Sequence, residues 1–179
     1  MEDFQSRMCG GARLVAVVGI LFLFASCGYR FYGAPEDNPF PAELKTILVD
    51  SAENHTTVTG IETELTNDLR REFAVGTGLR LVNAKGDVVL KTSISSYVDT
   101  PSSYKADGKE LTRVGTLMVN CRAERTDSQR TMWQKTLAAS QTYTVTDTIA
   151  ETLSNRRKAI SHMIKDIVPR IHRSLYENF

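Results

Sequence analysis

The first half of the folded part combines one short strand pattern with one helical pattern. Ile47, Leu48 and Val49 form a β-rich run in LKTILVDSA, which predicts the first strand. After the loop ENHTTVTG, apolar residues recur every four positions between charged ones: Ile61, Leu65, Leu69 and Phe73. This spacing predicts a helix with one apolar stripe, capped by Thr59 and ended by VGTG from Val75 to Gly78.

Patterns with a period of two follow and predict several antiparallel strands. After the short run LRLVN and the turn AKGD, VVLKTSISSYV carries one apolar face: Val88, Leu90, Ile94 and Val98. The next strand again has one apolar face: Leu111, Leu117, Val119, Cys121 and Ala123. The segment DTPSSYKADGKE between them, with the turn signal Asp107-Gly108, is expected to be a long hairpin loop. TMWQKTLAASQTYTV predicts a fourth long strand.

A long amphipathic helix from about Asp147 to Glu177 closes the chain. Its apolar stripe steps by three, four or seven residues: Leu153, Ile160, Ile164, Ile167, Ile171 and Leu175. Pro169 removes one backbone hydrogen bond and is expected to kink the helix. The order of elements predicts an α+β fold, a two-layer sandwich with two helices packed on one face of a mainly antiparallel sheet of about four to five strands.

The N-terminal segment has the pattern of an export signal. Leu14 to Tyr29 carries no charge, but this run of roughly 16 residues is shorter than the about 20 that a membrane span needs. Arg7 and Arg13 supply the positive charge that precedes such a signal, and Met8 is an alternative start. An uncleaved anchor or a buried strand are the other interpretations of this run.

A cysteine follows the small residues of a cleavage site. Ala25-Ser26 precede Cys27, an order that resembles a bacterial lipobox, with Phe24 where leucine is usual. We therefore expect residues 1–26 to be a lipoprotein signal peptide and Cys27 to carry the lipid that anchors the chain in a membrane. Residues 27–43 contain three prolines and little periodicity, which predicts an extended tether.

Composition narrows the functional classes for the remaining residues, 44–179, which we expect to form a single domain. The chain has 22 Lys and Arg against 21 Asp and Glu, a net charge of +1. This near-neutral balance argues against nucleic-acid binding, which needs clustered cations. If Cys9 leaves with the signal and Cys27 is lipidated, Cys121 has no partner for a disulfide.

No motif supports catalysis, a metal or a cofactor. His162 and Asp166 have helical i, i+4 spacing, but two ligands do not make a metal site. Cys121 lies on the apolar parity of its strand, which favours a small core residue over a nucleophile. We therefore expect that the protein is not an enzyme.

Four cations are candidates for an anion site. Lys105, Lys109 and Arg113 lie with Tyr104 at the end of the predicted hairpin, which is either a solvated loop or a binding surface. Lys135 interrupts an apolar strand face: Trp133, Leu137 and Tyr143. Its ammonium either reaches solvent at the margin of the sheet or meets an anionic amphiphile whose acyl chains contact the apolar neighbours.

Taken in order, five stretches resemble the LptE family, the lipopolysaccharide-assembly lipoproteins of the Gram-negative outer membrane. These stretches are CGYRF, KTILVDSAENHTTVTGIETELTNDLRREF, GDVVLKTSISSY, TDTIAETLSNRRKAI and IHRSLYENF. The resemblance implies a protein that plugs a large outer-membrane β-barrel of the LptD type, helps it fold and binds lipopolysaccharide for delivery to the cell surface. It also implies lipopolysaccharide contacts at Lys105 and Lys135. Gly28 follows Cys27 without the aspartate of inner-membrane retention, which is similar to outer-membrane lipoproteins.

A second resemblance leads to a different class of function. KTILVDSAENHTT followed by an amphipathic helix is similar to periplasm-facing lipoproteins that activate cell-wall synthases or form part of secretion pores. Such a protein would bind an enzyme or copies of itself instead of lipopolysaccharide.

Overall fold

The computed structural model describes residues 40–76 and 78–177, which contain two helices and six strands. The helices are α1 (Ile61–Val75) and α2 (Ile149–Tyr176). The strands are β1 (Thr46–Val49), β2 (Glu53–Asn54), β3 (Arg80–Val82), β4 (Val88–Tyr104), β5 (Glu110–Arg125) and β6 (Thr131–Thr144). The predicted signal peptide, the lipidation at Cys27 and the tether up to residue 39 lie outside the described residues.

The strands form one mixed sheet in the order β3-β1-β4-β5-β6, with β2 paired to β4. β1 runs parallel to both β3 and β4, because the α1 crossover returns the chain to the same end of the sheet. β4, β5 and β6 are antiparallel neighbours joined by hairpins. The predicted α+β sandwich is confirmed. The sheet is mixed and has six strands, because β1, β2 and β3 add parallel pairs to the antiparallel part.

The core lies between the sheet and the apolar stripes of the two helices. α1 contributes Leu65, Leu69 and Phe73, and each is at most 2% exposed. α2 contributes a longer stripe that is buried throughout: Ile160, Ile164, Ile167, Ile171 and Leu175. Phe40, upstream of the predicted domain start, is also in the core and packs edge-on against Tyr176 with 5.1 Å between ring centroids.

The β4–β5 hairpin differs from the predicted long loop. Pairing continues to Tyr104 and Glu110, so only a tight turn separates the strands. Lys105 and Lys109 close this turn, since the Lys105 amide donates to the Lys109 carbonyl at 2.7 Å. Gly108 adopts φ 81°, the left-handed conformation that glycine tolerates best. The prediction was wrong because the exposed Ser, Thr and Asp residues in this part of the two strands give the same sequence pattern as a loop.

The predicted apolar face of β4 is wrong at Val98, which is 54% exposed. The pairing register shifts between Ile94 and Ser96, and an irregularity of one residue turns every later side chain to the opposite face. Tyr97 consequently packs against the core. Sequence periodicity carries no signal for this bulge.

The two helix starts also differ from prediction. The N-cap of α1 is Gly60, not Thr59, and no side chain caps it. Instead the Glu62 carboxylate accepts the Gly60 amide at 3.1 Å and the Asn54 amide group at 2.8 Å. At the start of α2, Leu153 is 49% exposed, so the buried stripe begins one turn or more later than its periodicity indicated. α2 continues through Pro169.

Within the part of the chain that the structure describes, neither helix has the length and apolarity needed to cross a membrane.

Candidate ligand-binding surfaces

The structure separates the four predicted cations into two surfaces. Lys105, Lys109 and Arg113 lie at the β4–β5 hairpin, and we call these three residues the hairpin cluster. Lys135 lies farther along the edge strand β6, since it pairs with Cys121 while Arg113 pairs with Tyr143. Lys135 and Tyr143 are therefore about 26 Å apart along β6 at roughly 3.3 Å per residue. A single small ligand cannot contact both surfaces.

Arg113 is the most constrained member of the hairpin cluster. Its Nε lies 2.5 Å from Asp99 Oδ1 and its Nη1 lies 2.6 Å from Glu110 Oε2. Hydrogen bonds from the guanidinium to Asp99 and Glu110 raise the pKa of Arg113. The side chain is 25% exposed, so a ligand anion would have to compete with two carboxylates that already hold it.

Asp99 is the centre of this network. Tyr143 donates a hydrogen bond to its Oδ2, and the guanidinium of Arg156 from α2 lies 3.5 Å away while stacking on Tyr97. Burial opposes ionisation of Asp99, but the hydrogen bonds from Tyr143 and Arg113 outweigh it and hold its pKa below the usual range. The network therefore connects the hairpin-side part of β4, β5 and β6 to the first half of α2, which is a structural role.

The two lysines of the hairpin cluster are accessible. Lys105 Nζ lies 3.3 Å from Asp147 Oδ1, and that aspartate side chain is 86% exposed. Lys109 Nζ lies 3.5 Å from Asp107 Oδ2, again in solvent. Exposed pairs of this kind contribute about 0 to 1 kcal/mol, so a stronger anion can displace them. Tyr104 beside them is 60% exposed and offers an aromatic contact.

Lys135 forms the second surface together with residues that the sequence did not single out. Lys135 has the same strand parity as the buried residues Trp133 and Leu137, and its Nζ donates to Ser174 Oγ at 2.7 Å. A groove of about 440 Å³ lies here between β6 and the end of α2. The groove is lined by Lys135, Thr136, Leu137, Ala138, Arg170, Arg173, Ser174 and Glu177, and we call it the β6–α2 groove.

Three cations and one carboxylate line the β6–α2 groove, which gives it a positive balance. The ammonium of Lys135 reaches the sheet margin, as one of the two sequence interpretations expected. The other interpretation, contact with an anionic amphiphile, stays a prediction. Arg170 and Arg173 were missed because arginines on a solvated helix face give no sequence signal until the neighbouring strand is known.

Two other features that the sequence raised, Cys121 and the pair His162 and Asp166, lie among the described residues. Cys121 is 1% exposed, and burial raises the pKa of its thiol to about 12, which disfavours the thiolate that a nucleophile needs. Among residues 40–76 and 78–177 there is no group of three or more His, Cys, Asp or Glu side chains that could hold a metal ion. Asp166, which has i, i+4 spacing to His162, is paired with Arg170 at 2.9 Å.

The sequence profile of the LptE family, described as lipopolysaccharide-assembly, matches residues 44–175. The chain belongs to the LptE family. The matched region runs from before β1 almost to the end of α2, so it includes the hairpin cluster and all of the β6–α2 groove except Glu177. The family recognised from five sequence stretches is therefore confirmed.

Solved structures support the same fold. Rare lipoprotein B from Shewanella oneidensis is similar with a TM-score of 0.51 and 14% identity, over 73% of this chain and 93% of that one. Uncharacterized lipoprotein B from Nitrosomonas europaea gives a TM-score of 0.53 and 14% identity, over 74% and 83%. Identities this low show the fold alone. No curated protein sequence matches this chain significantly.

Proposed function

We propose that this protein is a lipid-anchored outer-membrane lipoprotein that plugs and assists assembly of an LptD-type β-barrel and binds lipopolysaccharide for delivery to the cell surface. The observation that carries the proposal is membership of the LptE family across residues 44–175. The lipobox-like order at Cys27 supports the anchor, although it lies outside the described residues.

Two surfaces of different character support lipopolysaccharide binding. The lipid A phosphates would engage Lys105 at the hairpin turn or Lys135 in the β6–α2 groove through charge-assisted hydrogen bonds. Both ammonium groups have neutral or weakly held partners, namely the Ser174 hydroxyl and the exposed Asp147 carboxylate. Arg113 contributes by holding the hairpin in place, because its guanidinium is engaged by Asp99 and Glu110.

A lipopolysaccharide-binding assay on the full-length protein tests this role. The double variant Lys105→Ala with Lys135→Ala is expected to weaken lipopolysaccharide binding at least tenfold. A tenfold change is about 1.4 kcal/mol of binding free energy, which is less than two charge-assisted hydrogen bonds contribute. Arg80→Ala is the matched control, because it removes one exposed charge from β3 at the opposite edge of the sheet. Equal affinity in the double variant and the control would refute the proposed contacts. The two single variants report which surface carries the affinity.

A further inference from the structure

β6 is an edge strand, and it is long for an edge that no other strand covers within the described part of the chain. The opposite edge of the sheet, β3, has three residues, whereas β6 has 14 and contains no proline. Proteins normally shorten, bend or cover such edges, because a row of unpaired backbone groups is a template for another strand. The pairing irregularity of β6 lies at its start, opposite Ala123 and Glu124, and leaves the rest of the strand regular.

The outward-facing backbone groups of β6 can be assigned from three hydrogen bonds. The Val145 amide donates to the Leu111 carbonyl of β5, so the backbone amides and carbonyls of odd-numbered β6 residues point toward β5. The carbonyls of Ala138 and Thr144 instead accept from Arg170 and Asn155, both on α2. The backbone amides and carbonyls of the even-numbered residues therefore point away from β5, toward the open edge of the sheet. These residues are Gln134, Thr136, Ala138, Ser140, Thr142 and Thr144. Within the described part of the chain, the other backbone groups of this row have no hydrogen-bond partner, and all six residues are exposed.

The charges beside this row are positive. Lys135 projects from β6 itself, and Arg170 and Arg173 flank the strand from α2. Asp166 already pairs with Arg170, and Glu177 is the one carboxylate in the groove lining. A second copy of β6 would bring like charges together, which opposes pairing. A strand with acidic side chains meets the opposite charge.

We propose that the β6 edge binds an extended acidic polypeptide segment, which adds to the sheet as a further strand. The main-chain groups of the even-numbered residues supply affinity, and the β6–α2 groove selects acidic side chains at alternate positions. On binding, Arg170 releases the Ala138 carbonyl, which then accepts a hydrogen bond from the incoming strand. The freed Arg170 guanidinium pairs with a carboxylate of that strand. This inference does not depend on lipopolysaccharide binding, since it uses the backbone of β6.

The test titrates isotope-labelled full-length protein with a twelve-residue peptide of alternating valine and glutamate, and uses a valine–lysine peptide as its charge-reversed match. The acidic peptide is expected to slow hydrogen exchange of the Thr136 and Ser140 amides at least about tenfold. The Leu137 and Ala139 amides, which already face β5, are expected to keep their rates. Lys135→Gln combined with Arg173→Gln is expected to weaken acidic-peptide binding at least about fivefold.

A backbone variant separates strand addition from simple charge attraction. Ser140→Pro removes one outward donor and preserves pairing with β5, and it is expected to abolish binding, whereas Ser140→Thr keeps the donor and binding. Unchanged far-ultraviolet circular dichroism shows that each variant is folded. Equal binding of the two peptides, undiminished binding by Ser140→Pro, or concentration-dependent dimerisation through β6 without peptide would each overturn the proposal.

Discussion

Arg113 and Asp99 form an ion pair between neighbouring strands at the point where the sheet extends toward the hairpin. The pair is mostly buried, with side-chain exposures of 25% and 17%. It is joined by Tyr143 from β6 and by Arg156 from α2. One carboxylate thus connects three strands and a helix.

Replacing Asp99 by Asn is expected to lower the free energy of unfolding by about 2 kcal/mol, because two guanidinium groups lose their counter-charge in a half-buried site. Urea denaturation measures the change. Asp107→Asn is the matched control, since its carboxylate pairs with Lys109 in solvent and its loss is expected to cost under about 0.5 kcal/mol. Equal losses in the two variants would show that the Asp99 network does not stabilise the fold.

His172 is expected to make the free energy of unfolding depend on pH. Its ring packs against Phe73 and Tyr176 with 4.9 and 4.5 Å between centroids, and its Nε2 is buried without a hydrogen-bond partner. Burial lowers the pKa of His172, and the charge of Glu72 on α1 opposes this only in part. The folded state therefore binds the proton less readily than the unfolded state does.

Stability from this histidine is fully present above about pH 6.5, the unfolded pKa, and is lost as pH falls toward the lowered folded pKa. Urea midpoints between pH 7.5 and 5 measure the loss, whose slope for one proton cannot exceed about 1.4 kcal/mol per pH unit. His172→Phe is expected to remove this contribution. His162→Gln, an exposed position on the same helix, is expected to retain it. An identical pH profile for His172→Phe and the wild type would contradict the assignment.

Cys121 is expected to resist alkylation in the folded protein. At pH 8 a thiol with a pKa of about 12 is almost wholly protonated, and the side chain is 1% exposed. Iodoacetamide labelling, mapped to the Cys121 peptide by mass spectrometry, should be at least about 100-fold slower in buffer than in 8 M urea at the same pH. Fast labelling of the folded protein would reopen the interpretation of Cys121 as a nucleophile.

Much of the fold could be predicted from the sequence because burial imposes a period. The alternation through Leu117, Val119 and Cys121 located β5, and the four-residue steps from Ile61 to Phe73 located α1. Prediction failed where one extra residue shifts the alternation of buried and exposed side chains, as in the irregularity after Ile94 that exposes Val98. It also failed for β2, whose two residues are too few to show a period.

The candidate site could be predicted only in part. Lys135 was singled out as a candidate because a charge on an apolar parity is visible in one strand. Its partner Ser174 is 39 residues away, and only the packing of α2 on β6 brings the two together. The engagement of Arg113 by Asp99 depends in the same way on strand register, which no local pattern encodes.

If this LptE-family protein is, as proposed, a lipid-anchored partner of an outer-membrane β-barrel, the two proteins are expected to be isolated together. The most direct measurement is purification of the tagged full-length protein from outer membranes after cross-linking, with the attached protein identified by mass spectrometry. We predict a complex with an LptD-type barrel that survives mild detergent and carries lipopolysaccharide. Recovery of a cell-wall synthase, of assemblies of this protein alone, or of a free monomer would contradict this role.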